Sequence, residues 1–302
     1  MTGKVKVTVP ATTANLGAGC DCIGLALSLY NTVTFEVTGA GLTVAVSGEG
    51  AGLLPLDENN TVIKAAKRLW NEVGFPAPEG LKITLENSIP VGAGLGSSAA
   101  AIIGGLAAAN FFAGAKLSSE EILSLAAAVE GHPDNVAAAF LGGSVVAARE
   151  GNGVVALKFS VAEEVRVVAA VPDFQLATAS AREVLPEVYP RGDSLYNVGR
   201  AALLAGAFAV RRYDLLKYGM DDRLYQPYRA PLVPGLEEVL RAAVAAGALG
   251  AALSGAGPTV VALATDKTDI IGGAMVKAFN DAGVRTRIFL LAPDNRGTRI
   301  ES

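Results

Sequence analysis

Apolar and polar residues alternate in three short runs of the N-terminal half: Val5, Val7 and Val9 in KVKVTV, Val33, Phe35 and Val37 in VTFEV, and Leu81, Ile83 and Leu85 in LKITLE. A period of two puts successive side chains on opposite faces, so each run predicts a half-buried strand. Elsewhere the period lengthens, and helices are predicted from Thr61 to about Val73, from Ser98 to about Phe112 and from Ser119 to Glu130. Ser118 opens the last of these with Glu121 three residues on, a capping box, and Gly131 closes it. After GSVVAARE, the GNG near residue 150 is a turn signal and a plausible seam. Beyond it the pattern predicts a strand in VRVVAAV, helices around residues 193–212 and 236–246, a strand in PTVVALAT, a helix near 269–281 and a final strand in RTRIFLLA. Strands and helices interleave throughout, which predicts an α+β protein of two lobes, drawn here as residues 1–160 and 161–302.

Composition narrows the functional classes. The 302 residues suffice for two domains with real cores. Net charge is -4 and no basic run exceeds Arg211-Arg212, so nucleic acid is not an expected partner. The longest nearly apolar run, Ala99 to Ala115, is interrupted by Asn110 and built from Ala and Gly, which predicts a buried helix and no membrane span. The opening segment lacks an uninterrupted apolar core of the secretory type, and the chain is expected in the cytoplasm. Cys20 and Cys22, in CDC, match neither a redox pair nor a zinc ligand set and are expected to be reduced packing residues.

Four glycine-bearing segments carry the chemistry. The first, NSIPVGAGLGSSAAAIIGG at residues 87–105, links a strand to a helix, so its amides and the helix N-terminus converge on one point suited to phosphate. Ser97 and Ser98 stand where they would cap the helix or donate hydroxyls to phosphate or a magnesium ion. A tight turn needing positive φ at one or two glycines is the plainer reading, but three alternating glycines followed by paired serines favour phosphate. The segment is neither a Walker loop nor a dinucleotide fingerprint, since no G-x-x-x-x-G-K-[ST] occurs and GAGLGS lacks the last glycine of G-x-G-x-x-G.

In the second segment, VEGHPDN, Glu130 closes a helix where the macrodipole disfavours a carboxylate, and a magnesium ion bridging phosphates would give it a purpose. His132, the only histidine, is expected to be a hydrogen-bonded turn residue rather than a base; Asp134 and Asn135 are turn residues or reach a substrate hydroxyl. The remaining segments, LSGAGPT at 253–259 and PATTANLGAGCDCIGLAL at 10–27, read individually as turns beside strands.

In this order the four segments resemble the GHMP family of small-molecule kinases. PVGAGLGSSAA, from Pro90 to Ala100, resembles the family's nucleotide loop and LSGAGPT its third motif. TTANLGAGCDCIGLAL, EGHPDNVAAAFLGG, TASAREVLP and QPYRAPLVPG point to the homoserine branch. The resemblance implies a ribosomal-protein-S5-domain-2-like N-terminal lobe and a ferredoxin-like C-terminal lobe with the site between them. It also implies a reaction, transfer of the γ-phosphoryl of ATP with Mg2+ to the hydroxyl of L-homoserine in the threonine pathway, and a homodimer. Residue by residue, it implies that Arg182 and Arg229 take the substrate carboxylate, Asn15 and Asp21 the amino end, and Asn135 the reacting hydroxyl, with Glu130 and Ser98 on the magnesium side. Backbone and side chains of Pro90, Val91, Gly92, Ala93, Gly94, Leu95, Gly96, Ser97, Ser98, Ala99 and Ala100 would surround the nucleotide phosphates, with Asn60 and Val62 near the adenine.

Three positions depart from the branch: Ala18 and Cys20 replace its usual proline and aromatic, and Tyr225 stands where histidine is common. Two other readings stay open. Mevalonate as acceptor would leave Asp21 without an ammonium to pair, and a silent binding protein of this fold would have no use for Glu130 and Ser98.

Overall fold

The computed structural model of the chain describes residues 3–302. Two sheets organise it. The first is built on β1 (Lys4–Asn15) and the 20-residue β2 (Gly19–Thr38), which pair antiparallel with register shifts at Pro10/Ala11 and Ala14/Asn15. β3 (Gly41–Gly48) follows, then α1 (Thr61–Glu72), β4 (Gly80–Asn87), α2 (Ser97–Phe112), α3 (Ser119–Glu130) and α4 (Asp134–Leu141). β5 (Ser144–Glu150) and β6 (Gly153–Phe159) complete this half, β5 pairing with the first part of β2 while β4 pairs with the second.

The second half runs β7 (Arg166–Pro172), α5 (Thr178–Glu183), α6 (Arg191–Ala209), α7 (Leu216–Gly219), α8 (Gln226–Arg229), α9 (Leu236–Ala245), β8 (Gly250–Leu253), β9 (Val260–Ala264), α10 (Thr268–Asp281) and β10 (Thr286–Leu291). Its sheet has the order β10-β7-β9-β8, all antiparallel, with α9 and α10 as connections. This is the split βαββαβ arrangement of a ferredoxin-like lobe.

The period-two pattern explains how one sheet serves two cores. Along β7, Val167, Ala169 and Val171 join the large cluster beneath the first sheet, whereas Val168 and Ala170 join a second cluster with Val239, Met275 and Phe279 of α9 and α10. Expected helix boundaries agree with the observed ones to within a few residues, and the Ser118–Glu121 capping box forms in full.

Several elements differ from expectation: β6, β8 and the short helices α5, α7 and α8 are not anticipated, and three further differences bear on the architecture. RTRIFLLA is not the last strand: the chain returns to the first sheet, where β11 (Arg299–Glu301) pairs with Lys6–Thr8 of β1. β3, not anticipated, is an edge strand parallel to β4 with mostly exposed side chains, so it lacks a buried apolar face to announce it. The HPDN turn is the start of α4, whose first residue Asp134 follows Pro133. Proline before a helical run, with its fixed φ and no N–H, is a start signal as well as a turn signal.

Candidate active site

The four segments meet in a cleft of about 110 Å³ lined by the glycine loop, by Asn15 and Asp21, by the Glu130–Asn135 stretch, and by Arg182, Arg229 and Gly255–Gly257. The loop joins β4 to α2, with Gly92, Gly94 and Gly96 at φ 67°, 83° and 73°. Gly96 is the N-cap of α2, and no side chain caps the helix, so its first amides and the positive end of its dipole are left for an anion. Ser98 therefore does not act as the cap; its Oγ donates to Glu130 Oε2 at 2.8 Å.

The glycines are needed for a reason the loop alone does not reveal. A Cβ on Gly94 would lie 2.3 Å from the Ser254 carbonyl oxygen, and one on Gly96 would lie 1.9 Å from Thr12 Oγ1. The loop is thus pressed between β1 and the LSGAGPT segment, and side chains are excluded by that packing before any ligand arrives. Backbone bonds brace it there, from Thr12 N to Leu95 O at 3.1 Å and from Thr259 N to Ala93 O at 3.2 Å, while Ser254 Oγ donates to Gly94 O at 2.6 Å.

Pro90, Leu95, Ala99 and Ala100 are buried under the loop and shape it by packing. A second hollow, about 180 Å³, lies against the other side of Gly92, Ser97 and Ser98 and is lined by Leu54, Pro55, Asn60, Val62 and Val91. Asn60 caps α1 here: its Oδ1 accepts from Val62 N at 3.0 Å and its Nδ2 donates to Pro55 O at 2.8 Å, so it builds the wall rather than projecting from it.

On the opposite side of the cleft the parts are charged. Asn15, which ends β1, and Asp21, near the start of β2, hold left-handed backbone, φ 71° and 55°, on either side of the bend that joins the two strands. Asn15 Oδ1 accepts from Asp21 N at 3.0 Å and Nδ2 donates to Gly255 O at 3.1 Å, tying the bend to the C-terminal lobe. Arg182, from α5, grips Asp21 with two nitrogens at 2.8 and 3.2 Å. Arg229 is buried, donating Nε to Ala181 O and Nη1 to Gly255 O, both at 2.9 Å. Asn135 Oδ1 accepts from Thr12 Oγ1 at 2.7 Å. His132 Nδ1 lies 2.6 Å from Asp134 Oδ1, which also accepts from Asn135 N at 2.7 Å.

Electrostatics follow from this crowding. Burial raises the Glu130 carboxyl above its ordinary value of 4.5, only partly offset by the Ser98 hydroxyl and by His132. For His132 burial acts downward, but the hydrogen bond and charge of Asp134, with Glu130 and Asp21 adding, hold the imidazole above 6.5. Burial and then the Asp21 charge push the Cys20 thiol up to about 12, so it stays protonated and inert, whereas Cys22 is exposed and is not the packing residue expected.

A hard divalent cation fits Glu130 and Ser98: both offer oxygen, and among the described residues the half-buried Glu130 carboxylate, at a helix C-terminus, has no Lys or Arg ion-pair partner. Asp21, His132 and Asp134 also place one donor atom each within 4.8 Å of one another, but Arg182 already holds Asp21 and His132 already holds Asp134.

The structure brings Asn15, Asp21, Ser97, Ser98, Glu130, Asn135, Arg182 and Arg229 to the cleft, leaves Asn60 in the wall of the second hollow, and adds three residues to which the sequence assigns no role. Thr12 and Ser254 brace the loop, and Asn31 Oδ1 accepts from Ser88 N and Ile89 N at 2.9 and 3.0 Å, fixing the loop's entry. The hydroxyl pair in PATTAN is a usable signal for the first and the LSGAGPT segment for the second; nothing local marks Asn31.

The family model of the GHMP kinases N terminal domain matches residues 60–143, and that of the GHMP kinases C terminal domain matches 200–280. A homoserine kinase of Carboxydothermus hydrogenoformans is 46% identical over 97% of this chain and 95% of its own length. The crystal structure of homoserine kinase from Cytophaga hutchinsonii superposes with a TM-score of 0.89 at 30% identity, covering 100% of this chain and 98% of that one. L. major mevalonate kinase in complex with R-mevalonate, with a TM-score of 0.67 at 18% identity over 98% of this chain and 96% of its own, shares the fold alone. With both halves matched and such identity across nearly the full length, the chain belongs to the GHMP kinases and, within them, to the homoserine kinases.

Proposed function

We propose that the chain transfers the γ-phosphoryl group of ATP to the side-chain hydroxyl of L-homoserine, giving O-phospho-L-homoserine and ADP, a step of threonine biosynthesis. The single observation that carries this reading is the bidentate Arg182–Asp21 pair beside the buried Arg229, opposite an uncapped helix N-terminus. Homoserine is a zwitterion. Its carboxylate takes Arg182 and Arg229, its ammonium takes Asp21 with Asn15 fixing the bend, and its hydroxyl is oriented by Asn135. Each charge of the resting pair thereby exchanges a protein partner for a ligand one, and neither is stranded in the cleft.

The amides from Gly92 to Ser98 hold the phosphates, and the hollow beside Asn60 and Val62 takes the adenine. Magnesium, with Glu130 and Ser98 as its protein ligands, would neutralise phosphate charge when bound. Phosphoryl transfer through a loose transition state asks chiefly for in-line positioning and charge compensation, which is why a cleft without a strong base suffices. The two lobes, 1–160 and 161–302, close on the reactants from either side. Among the described residues no helix is long and apolar enough to cross a membrane. A cytoplasmic setting is supported by the free thiols of Cys20 and Cys22, and a homodimer by the exposed apolar Leu195 and Val198 on α6.

The test is ADP release with MgATP and a panel of acceptors: L-homoserine, D-homoserine, mevalonate, galactose and none. Turnover on L-homoserine alone is expected. Equal turnover on mevalonate would remove the substrate assignment while leaving the fold and the loop intact.

A further inference from the structure

Tyr225 is the largest side chain in the molecule with no exposure at all, and its hydroxyl has no hydrogen-bond partner. A phenol is a costly way to fill a core when its oxygen goes unpaired, since a buried unsatisfied group forfeits its hydration without return. The ring itself has a partner. The Arg229 guanidinium carbon lies 4.8 Å from its centroid, within the range of a cation–π contact.

The geometry around both residues is fixed by backbone. Tyr225 O accepts from Arg229 N at 3.0 Å, which places the two side chains four residues apart on the single turn of α8. That turn is anchored by Asp222, whose Oδ2 accepts from Tyr225 N and Gln226 N at 3.2 and 2.7 Å. Asp222 Oδ1 in turn accepts from Asn197 Nδ2 of α6 at 3.0 Å.

Arg229 is an unusual cation. Only 4% of it is exposed, yet among the described residues no carboxylate lies within ion-pair distance. Its Nε and Nη1 are spent on two backbone carbonyls, and Nη2 has no protein acceptor among the described residues. Arg182, by contrast, has Asp21 to neutralise it. Besides those two carbonyls, the π-face of Tyr225 is the negative surface that accompanies the Arg229 charge.

We infer that Tyr225 is a positioning residue for substrate recognition: its ring holds the Arg229 guanidinium desolvated, planar and unpaired, ready for the acceptor's carboxylate, and its hydroxyl takes no part. The inference rests on the assignment of Arg229 to that carboxylate and deepens it.

The experiment compares Tyr225→Phe, Tyr225→Leu and Tyr225→Met with the unaltered chain, using L-homoserine and the amino alcohol that lacks its carboxylate. Tyr225→Phe keeps the ring and removes the unpaired oxygen; it is expected to melt at a higher temperature with KM for homoserine unchanged. Tyr225→Leu is expected to raise KM for homoserine by about 10- to 30-fold, the ratio that corresponds to losing a desolvated cation–π contact. Its kcat, its KM for ATP and its kcat/KM for the amino alcohol should stay within about twofold, and Tyr225→Met, closer in volume, should reproduce the pattern if Tyr225→Leu folds poorly. A loss shared equally by homoserine and the amino alcohol, or a Phe variant as impaired as Leu, would overturn the role. If the unaltered chain itself used both acceptors equally well, the carboxylate assignment would fall first and the Tyr225 proposal with it.

Discussion

The two walls of the cleft are made in opposite ways. On the donor side the groups that face the phosphates are backbone amides on glycine, alanine and serine, fixed by close packing against Thr12 and Ser254 before any nucleotide binds. On the acceptor side they are charged side chains, Arg182 paired with Asp21 and His132 with Asp134 in the resting state, and Arg229 held by carbonyls alone. The first wall carries its cost in conformation, three positive-φ glycines of which Gly94 and Gly96 have no room for a side chain; the second carries it in charges that must be exchanged. Damage to the donor wall should therefore damage the fold, whereas damage to the acceptor wall should appear as altered substrate binding in a folded protein.

The largest effect is expected from Gly96→Ala, which combines a left-handed backbone with a Cβ placed 1.9 Å from Thr12 Oγ1. Strain and overpacking together should destabilise the chain by about 3 to 5 kcal/mol, visible as a large fall in melting temperature or as insoluble expression. A melting temperature equal to the unaltered chain's would show that the loop is not pinned as described. Glu130→Gln comes next. It keeps the size of the side chain and the bond to Ser98 while removing the carboxylate, so kcat should fall by about a thousandfold with little change in melting temperature. Magnesium dependence that persisted unchanged in this variant would remove Glu130 from the metal side.

Arg182→Ala tests the exchange of charges. KM for homoserine is expected to rise about 10- to 100-fold, in line with a charged hydrogen bond to a carboxylate, while kcat and KM for ATP stay close to the original. Arg182 and Asp21 are partly exposed, so their mutual pairing adds little to folding and the melting temperature should hardly move.

The smallest effect concerns pH. The folded state holds His132 above 6.5, so its stabilising contribution is fully present below 6.5 and is lost as pH rises through the raised value. Glu130, held above 4.5, acts with the same sign in a lower range, its contribution present below 4.5 and lost as pH rises through its own raised value. Melting temperature should fall as pH climbs above 6.5, and His132→Gln should flatten that part of the profile; an unchanged slope would dissociate His132 from it.

How much of this was legible in the sequence depends on whether the determinant was local. The α3 capping box, Gly131 at its end, and the alternating strands are written in neighbouring residues and appear where expected. The acceptor residues were reached through motif resemblance, because Asp21, Arg182 and Arg229 meet only after folding across both lobes. Missed features share a cause. β11 is three residues whose pairing with β1 is decided nearly 300 positions away, and β3 has almost no apolar face. In the sequence the glycines of GAGLG point to a phosphate alone, whereas Ser254 and Thr12, distant in sequence, already exclude a side chain at Gly94 and Gly96. In the sequence Pro133 reads as a turn, because its role as a helix start depends on the buried Ala-rich face of α4 behind it.

The most direct test of the account is a comparison of kcat/KM for L-homoserine, for the hydroxy acid that lacks its ammonium and for the amino alcohol that lacks its carboxylate, under saturating MgATP. If the Arg182–Asp21 pair is exchanged for a zwitterion, each truncated acceptor leaves one charge stranded, and both should fall at least about a hundredfold below homoserine. Comparable efficiency with either one would contradict the account, because the resting pair would then play no part in choosing the acceptor.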